Sequence, residues 1–139
     1  MQPSTTLQFT LPANYEHLVH ISTQIDALAE KMTFSADATE LRYNLKLAVH
    51  EVCNNIIEHA YDGKDGIIHC QLTIDQNGRR FVADLYDSGQ EFDPSAVVTP
   101  DLCEPQEKGY GLFIVRQLMD EVHYEYTNKQ NHWRLVKQW

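Results

Sequence analysis

Basic residues are scarce in this sequence: 11 Lys and Arg stand against 20 Asp and Glu, a formal net charge of -9 at pH 7. Such a balance repels phosphate, which argues against nucleic acid or an anionic membrane as the partner. The sequence also lacks a run of about 18 apolar residues, which excludes a membrane-spanning helix. Its first residues carry neither the basic nor the apolar block of a signal peptide. Basic protein partners and metal-masked anions remain possible.

Cysteine is rare as well, with only Cys53, Cys70 and Cys103. They form no C-x-x-C pair, and an odd number of cysteines cannot be bridged completely within one chain. We therefore expect reduced thiols in a cytoplasmic protein. The seven histidines include no H-E-x-x-H or other spaced set of metal ligands, which argues against a zinc site.

The 139 residues, 42% of them hydrophobic, match the size of one domain, which we place at residues 1–139. Alternation over Thr6–Leu11 predicts a first strand that ends at Pro12. Asn14 is suited to cap a helix in which apolar residues recur every three or four positions. Those apolar positions are Leu18, Ile21, Ile25, Leu28 and Met32.

A second, longer helix is predicted over Asp37–Tyr61, and the polar turn 62–66 ends it. Two alternating strands follow, with Asn77-Gly78 as the hairpin turn between them. Their inward positions are Ile68, Cys70, Leu72 and Ile74 in one strand and Phe81, Ala83 and Leu85 in the other.

Periodicity disappears from Gln90 to Gly109, and a stretch of about 20 such residues in a small domain is typical of a functional loop. A third helix is predicted over Gly111–Glu121, and two more strands lie around 122–126 and 133–135. We therefore expect an α+β two-layer sandwich, with three helices covering one face of a mostly antiparallel, mixed sheet.

The second helix carries a polar stripe, because Glu51, Asn55 and His59 lie at i, i+4 and i+8. This stripe overlaps the apolar arc, so it points toward the sheet or a cleft beside it. Glu51 suits a general base, and the neutral amide oxygen of Asn55 suits Mg2+. A solvated helix border explains an isolated E-x-x-x-N equally well, and a lone His near an apolar face is commonly a packed core residue.

Asp87-Ser88-Gly89 directly follows a strand, where a carboxylate could accept a hydrogen bond from an exocyclic amine such as that of adenine. The bland alternative is an ordinary polar turn. Further along, Lys108-Gly109-Tyr110-Gly111-Leu112 opens a helix, where free N–H groups favour phosphate. The bland alternative there is a simple helix cap.

In this order, the three segments resemble the N, G1 and G2 boxes of the Bergerat-fold ATPases, which include gyrase-type ATPases, Hsp90-type chaperones and histidine kinases. The resemblance is closest to the bacterial anti-sigma-factor serine-protein kinases of partner-switching systems. It rests on three motifs and spans nearly the whole chain. These are Glu51-x-x-x-Asn55-x-x-x-His59-Ala60-Tyr61, Asp87-x-Gly89-x-x-Phe92-Asp93, and Gly109-x-Gly111-Leu112-x-Ile114-Val115.

The resemblance implies a role for each matching position. Glu51 would orient or deprotonate the attacking hydroxyl, Asn55 would hold Mg2+, and Asp87 with Gly89 would read the adenine amine. Residues 90–108 would form the ATP lid. The positions expected to contact the nucleotide are Asn55, His59, Asp87, Gly89, Phe92, Lys108, Gly109, Tyr110, Gly111 and Leu112.

The resemblance also implies a function: transfer of the γ-phosphoryl group of ATP to a serine or threonine of a small anti-anti-sigma protein, and sequestration of a sigma factor. The first helix and strand would form a homodimer surface, although an ordinary core helix fits equally well. Two alternatives are a nucleotide-gated sequestering module with little kinase activity and a detached sensor histidine-kinase catalytic domain. The latter needs a phosphoacceptor helix pair, for which there is no room before Leu7.

Three departures from the family pattern stand out. Glu91 replaces a second glycine that many relatives carry, and Lys108 is the only basic residue in the lid. The last strand has Asn131-His132 where many members place Gly-Thr near the adenine. Whether Asn131 or His132 takes that role stays open at this point.

Overall fold

A computed structural model describes residues 4–32, 38–93 and 111–139 and shows a five-stranded sheet with three α-helices packed on one face. The predicted α+β two-layer fold is confirmed. The strands are β1 (Thr5–Pro12), β2 (Ile67–Ile74), β3 (Arg80–Asp87), β4 (Glu121–Thr127) and β5 (Gln130–Gln138). The helices are α1 (Val19–Ala29), α2 (Thr39–Asn55) and α3 (Gly111–Leu118).

The sheet has the strand order β1-β2-β3-β5-β4, and all four of these pairings are antiparallel. The expected mixed sheet is therefore antiparallel throughout in the residues that the structure describes. Asn77-Gly78 lies in the β2–β3 hairpin as predicted. The β4–β5 turn places both Asn128 and Lys129 at positive φ, as a two-residue turn between twisted strands requires.

The inner face of the sheet is apolar because alternate residues of each strand point toward the helices. The buried side chains of this face pack with the inward residues of the helices in one core. The largest fully buried side chains are Phe81, Ile21, Ile25, Leu28, Leu45, Ile56, Ile68, Leu72, Ile74, Leu85, Leu135 and Val49. No helix within the described ranges is long and apolar enough to cross a membrane.

The outer face of the sheet is polar and contains one buried acid. Asp84 of β3 is 4% exposed, and its Oδ1 is 2.7 Å from His132 Nε2 and 3.7 Å from Arg134 Nη1. The Tyr86 ring stacks on the His132 imidazole with the centroids 4.3 Å apart. This cluster lies directly behind the inner-face residues at the start of β5.

The first helical segment begins as expected, with Asn14 as a cap. Its Oδ1 accepts from the His17 backbone N–H in a short 3-10 turn, Tyr15–His17, which precedes α1. All five predicted apolar positions are buried, which confirms the helical spacing: Leu18, Ile21, Ile25, Leu28 and Met32.

The second helix is less regular than predicted. Its α-helical part ends at Asn55 and continues as a π-helical turn, Ile56–Ala60, in which the Tyr61 N–H bonds to Ile56 O. The wider turn rotates every following side chain relative to an α-helix. The prediction that Glu51, Asn55 and His59 form one stripe was therefore wrong for His59, because it assumed the constant rotation per residue of an α-helix.

The third helix was predicted to extend to Glu121 and ends instead at Leu118, since Glu121 is the first residue of β4. Asp120 already donates its N–H to Val136 O, which joins the chain to the sheet. Four residues singled out in the sequence, Cys103, Lys108, Gly109 and Tyr110, lie outside the described residues, as do Asp37 and most of the predicted lid.

Candidate functional site

The three sequence segments converge where α2 ends, where β3 ends and where β5 begins. A small pocket, partly open to solvent, lies between these elements. Its lining residues are Asn55, Ile56, Ala60, Asp87, Phe92, Asn131 and Trp133. The pocket thus joins a predicted magnesium ligand, Asn55, to a predicted base-reading carboxylate, Asp87.

Asp87 is the last residue of β3 and is only 1% exposed. Its Oδ1 accepts from the Gly89 backbone N–H at 2.9 Å and from Asn131 Nδ2 at 2.8 Å. Its Oδ2 is buried and has no hydrogen-bond partner in the described part of the chain. Burial raises the pKa of Asp87 above its usual value, against the lowering effect of these two donors.

A buried carboxylate oxygen without a donor is costly, because the lost hydration is not replaced. Asp87 Oδ2 therefore provides an acceptor position that a ligand N–H could fill inside the pocket. The exocyclic amine of adenine is a donor of this kind, so the residues present fit the base that the sequence predicts.

Asn131 lies opposite Asp87 in the β3–β5 register and is also 1% exposed. Besides Asp87, its amide nitrogen donates to Gln90 O at 2.9 Å and lies 3.4 Å from Gly89 O. Sequence reasoning left Asn131 without a role, and the structure places it in direct contact with the predicted base reader. The missing Gly-Thr was the one available signal, but it could not separate Asn131 from His132, which faces the other side of the sheet.

Three aromatic side chains support this end of the pocket. Phe92 meets the rings of Tyr124 and Trp133 edge to face, with centroids 5.5 and 5.1 Å away. The Tyr124 hydroxyl accepts from the Phe92 backbone N–H at 2.8 Å and donates to Asn131 Oδ1. Phe92 was predicted to contact the nucleotide; Tyr124 is a site residue that the sequence analysis missed.

Gly89 lies where the turn after β3 meets the π-helical turn. A Cβ at Gly89 would collide with the Ala60 carbonyl, so only glycine allows this approach. The next residue fixes the contact: the Gln90 N–H donates to Ala60 O at 2.8 Å, and its side-chain amide donates to His59 O. Gly89 was expected to help Asp87 read the adenine amine, and the close approach observed here is to Ala60 of the π-helical turn.

His59 takes part through its backbone, while its side chain is exposed. It is therefore not the packed core histidine that was one of the sequence-based interpretations. Its expected contact with a nucleotide stays a prediction.

Glu51 lies one turn before Asn55 on α2 and faces the start of α3. A Cβ added to Gly111 would lie 2.5 Å from Glu51 Oε2, so the absence of a side chain at Gly111 accommodates this carboxylate. Leu112, the next residue, is buried in the core and anchors the start of α3. Glu51 also borders an open groove between α1 and α2, whose other lining residues are Ser22, Tyr43, Lys46, Leu47, His50 and Asn54.

A magnesium site was expected at Asn55. No group of three or more His, Cys, Asp or Glu side chains that could hold a metal occurs in residues 4–32, 38–93 and 111–139. Nucleotide-bound Mg2+ commonly uses only one or two protein oxygens, together with phosphates and water. The Asn55 side chain borders the pocket next to Asp87, so the donor present fits such an ion.

Comparison with known proteins places this geometry in context. Residues 11–137 match the family described as histidine kinase-like ATPase domain. Serine/threonine-protein kinase BtrW of Bordetella bronchiseptica is 32% identical over 104 residues, which cover 71% of this chain and 72% of that protein.

Serine-protein kinase RsbW of Bacillus licheniformis is 31% identical over 128 residues, 84% of this chain and 76% of that protein. Serine-protein kinase RsbW of Halalkalibacterium halodurans is 28% identical over 129 residues, 87% of this chain and 75% of that protein.

A crystal structure of the RsbU and RsbW domains of a Mycobacterium tuberculosis protein has the same fold, with a TM-score of 0.62 at 19% identity. The match covers 96% of this chain and 32% of the other, so this chain spans about a third of that protein's length.

Proposed function

The chain belongs to the family of histidine kinase-like ATPase domains and is a protein serine/threonine kinase, and we propose that it phosphorylates a small anti-anti-sigma protein and sequesters a sigma factor. The relatives named RsbW and BtrW support the kinase activity. The finer assignment of both partners rests on the resemblance of the three motifs.

The observation that carries nucleotide binding is the unpartnered Oδ2 of Asp87. It is the one buried side-chain polar atom without a partner among the described residues, and it lies in the pocket beside Asn55. In the proposed complex, the adenine amine donates to this oxygen, and the base lies near Phe92 and Trp133.

Glu51 is the proposed catalytic base. As the acceptor serine attacks, its Oγ–Pγ bond forms while the bond from Pγ to the bridging oxygen of ADP breaks, and Glu51 takes the hydroxyl proton. Asn55 would hold the Mg2+, which supplies positive charge against the phosphates. In the free protein, the Glu51 carboxylate already lies beside Gly111, the first residue of α3, where we expect the phosphates to bind.

The remaining nucleotide contacts are proposed from the sequence pattern. Gly109 and Gly111 would offer backbone N–H groups to the phosphates, with Lys108 adding a positive charge and Tyr110 and Leu112 shaping the same turn. Residues 90–108 would form a lid over ATP, and His59 would complete the set of contacts.

The proposal also covers assembly and location. We place a homodimer surface on β1 and the first helical segment, treat residues 1–139 as a single ATPase domain, and expect it in the cytoplasm. The match over residues 11–137 supports the single domain, and the free, buried Cys53 and Cys70 agree with a reducing compartment. The net charge of -9 suits a basic surface on a partner.

A phosphoryl-transfer assay tests the enzyme assignment. We expect incubation with labelled ATP, Mg2+ and candidate small antagonist proteins from the same genome to place label on a serine or threonine. Glu51→Ala should slow this transfer by about 100-fold or more, since removal of a positioned base has that effect, while ATP affinity stays within about threefold of the wild type.

Glu40→Ala is the matched control, because Glu40 is exposed in the first turn of the same helix. It should leave both transfer and ATP affinity unchanged. Transfer that persists at the full rate in Glu51→Ala would remove Glu51 from the mechanism. ATP binding without transfer to any antagonist would instead indicate the nucleotide-gated sequestering module.

A further inference from the structure

The amide of Asn131 connects the proposed base reader to the aromatic side chains beneath the pocket. We propose that Asn131, held by the Tyr124 hydroxyl, is the positioning residue that sets the preference for adenine, because it fixes the orientation in which the Asp87 carboxylate faces the base. This inference rests on the proposed nucleotide binding and adds to it a specificity determinant on β5.

Counting donors and acceptors fixes the orientation of the Asn131 amide. One side faces only acceptors, namely Asp87 Oδ1 and the carbonyls of Gln90 and Gly89. The other side faces the Tyr124 hydroxyl, whose oxygen already accepts from the Phe92 N–H and which can therefore donate to Asn131. A flipped amide would set its oxygen against three acceptors, so only the observed orientation satisfies every group.

This orientation determines how Asp87 meets a ligand. Oδ1 accepts two hydrogen bonds, from Gly89 N and Asn131 Nδ2, and turning the carboxylate out of its observed plane would break both. Oδ2 is therefore held as the free acceptor in the pocket. The acceptor is fixed before binding, so a ligand does not have to order it.

A fixed acceptor discriminates between purines by the group at position 6. Adenine places an amine there and can donate to Oδ2, whereas hypoxanthine and guanine place a carbonyl oxygen there and would set two acceptors face to face. A site whose buried polar group is left unpaired rejects the wrong ligand strongly. If Asp87 were free to rotate, part of this discrimination would be lost.

Within the described residues, Asn131 is the one side chain seen to donate to Asp87. Two titratable groups that interact electrostatically with Asp87 are the Cys53 thiol of α2 and the Tyr124 phenol of β4, and burial raises the pKa of both. Both are therefore neutral at pH 7, and the Tyr124 proton is directed at Asn131. Asn131 remains the side chain that orients the carboxylate.

The test compares ATP with inosine triphosphate (ITP), which differs at position 6, by equilibrium binding to the full chain. Asn131→Leu keeps the approximate size of the side chain and removes both donors. We expect ATP affinity to fall more than ITP affinity, so that the ratio of the two falls by about tenfold. A purely structural role would weaken both nucleotides equally and leave this ratio unchanged, which would overturn the proposal.

Two further variants keep the test decisive if Asn131→Leu folds poorly. Asn131→Thr retains one hydroxyl donor for Asp87 and should restore the ATP-to-ITP ratio to within about threefold of the wild type. Tyr124→Phe removes only the hydroxyl that holds the amide and should lower the ratio by about threefold. Tyr86→Phe, which removes a hydroxyl on the outer face of the sheet, is its control and should not change the ratio.

The wild-type measurement separates this inference from the proposed function. If the wild type binds neither nucleotide, both proposals fail. If it binds ATP over ITP and the variants at positions 131 and 124 keep the same preference, nucleotide binding stands and the role of Asn131 is refuted.

Discussion

Two buried aspartates on β3 make an informative comparison. Asp84 and Asp87 lie three residues apart, are 4% and 1% exposed, and face opposite sides of the sheet. On the outer face, Asp84 contacts His132 and Arg134 and keeps no buried oxygen without a partner. On the inner face, Asp87 keeps one unpartnered oxygen inside a pocket.

The difference separates an acid whose partners the protein supplies from the acid that we propose binds a ligand. The partners of Asp84 are all supplied by the protein, so its charge is compensated without a ligand. The partners of Asp87 are supplied for one oxygen only, and the cost of the other is recovered when a donor enters. Low solvent exposure alone therefore does not distinguish the two kinds of aspartate.

The largest expected effect comes from neutralising each acid in turn. Asp87→Asn would place an amide N–H₂ where the adenine amine donates, so ATP affinity should fall by about 100-fold or more. Asp84→Asn is the matched control, because it neutralises a buried acid on the opposite face, and its ATP affinity should equal that of the wild type. Isothermal titration calorimetry measures both. Retained ATP affinity in Asp87→Asn would contradict the proposal that Asp87, and not Asp84, contacts the nucleotide.

A smaller effect is expected from pH, because burial raises the pKa of Asp87. A protonated Oδ2 cannot accept from the adenine amine, so ATP binding requires the ionised form. As pH falls through the raised pKa, affinity should fall, by up to about tenfold per pH unit once below it.

This loss should begin at a higher pH than for an ordinary Asp, whose pKa is 3.8. The Asp84→Asn variant should follow the wild-type profile, since its site is unchanged. An ATP affinity that stays constant down to the pH of acid unfolding would contradict the assignment of Asp87.

The smallest effect concerns the other aspartate. His132→Ala removes the 2.7 Å partner of Asp84, and the free energy of unfolding should fall by about 1 kcal/mol, with water at the half-exposed edge limiting the loss. ATP affinity should not change, because the imidazole lies on the outer face. Urea unfolding measures the first quantity, and His123→Ala, at the exposed pair with Glu121, is the control that should leave stability unchanged. A loss of ATP affinity in His132→Ala would contradict the comparison, because it would show that a residue of the outer face affects the site on the inner face.

Much of the fold follows from side-chain periodicity, and the rest depends on backbone contacts that periodicity does not record. The spacing of Leu18, Ile21 and Ile25 predicts a buried helix face because each position depends only on the rotation per residue. The π-helical turn at Ile56–Ala60 could not be predicted this way, because its last carbonyls accept hydrogen bonds from Gln90, which lies 30 or more positions later in the chain.

The candidate site likewise contains residues that the sequence motifs identified and one residue that only the structure revealed. The motifs singled out Glu51, Asn55 and Asp87 by residue type, and the structure brings Asn55 and Asp87 to one pocket. Asn131 stayed without a role because its proposed function depends on the register that sets it opposite Asp87, 44 positions earlier in the chain. Register is a property of strand pairing and was not available from the segment itself.

The π-helical turn after α2 has a mechanical consequence. The carbonyls of His59 and Ala60 lie at its C-terminal end, where no further helical turn can bond them. Both accept from Gln90, the residue that also accepts from Asn131. The turn that follows β3 is thereby fastened to the helix that carries Glu51 and Asn55. A shift of this helix would also move the turn after Asp87. The proposed contacts to the base and to the phosphates of a bound nucleotide would then move together.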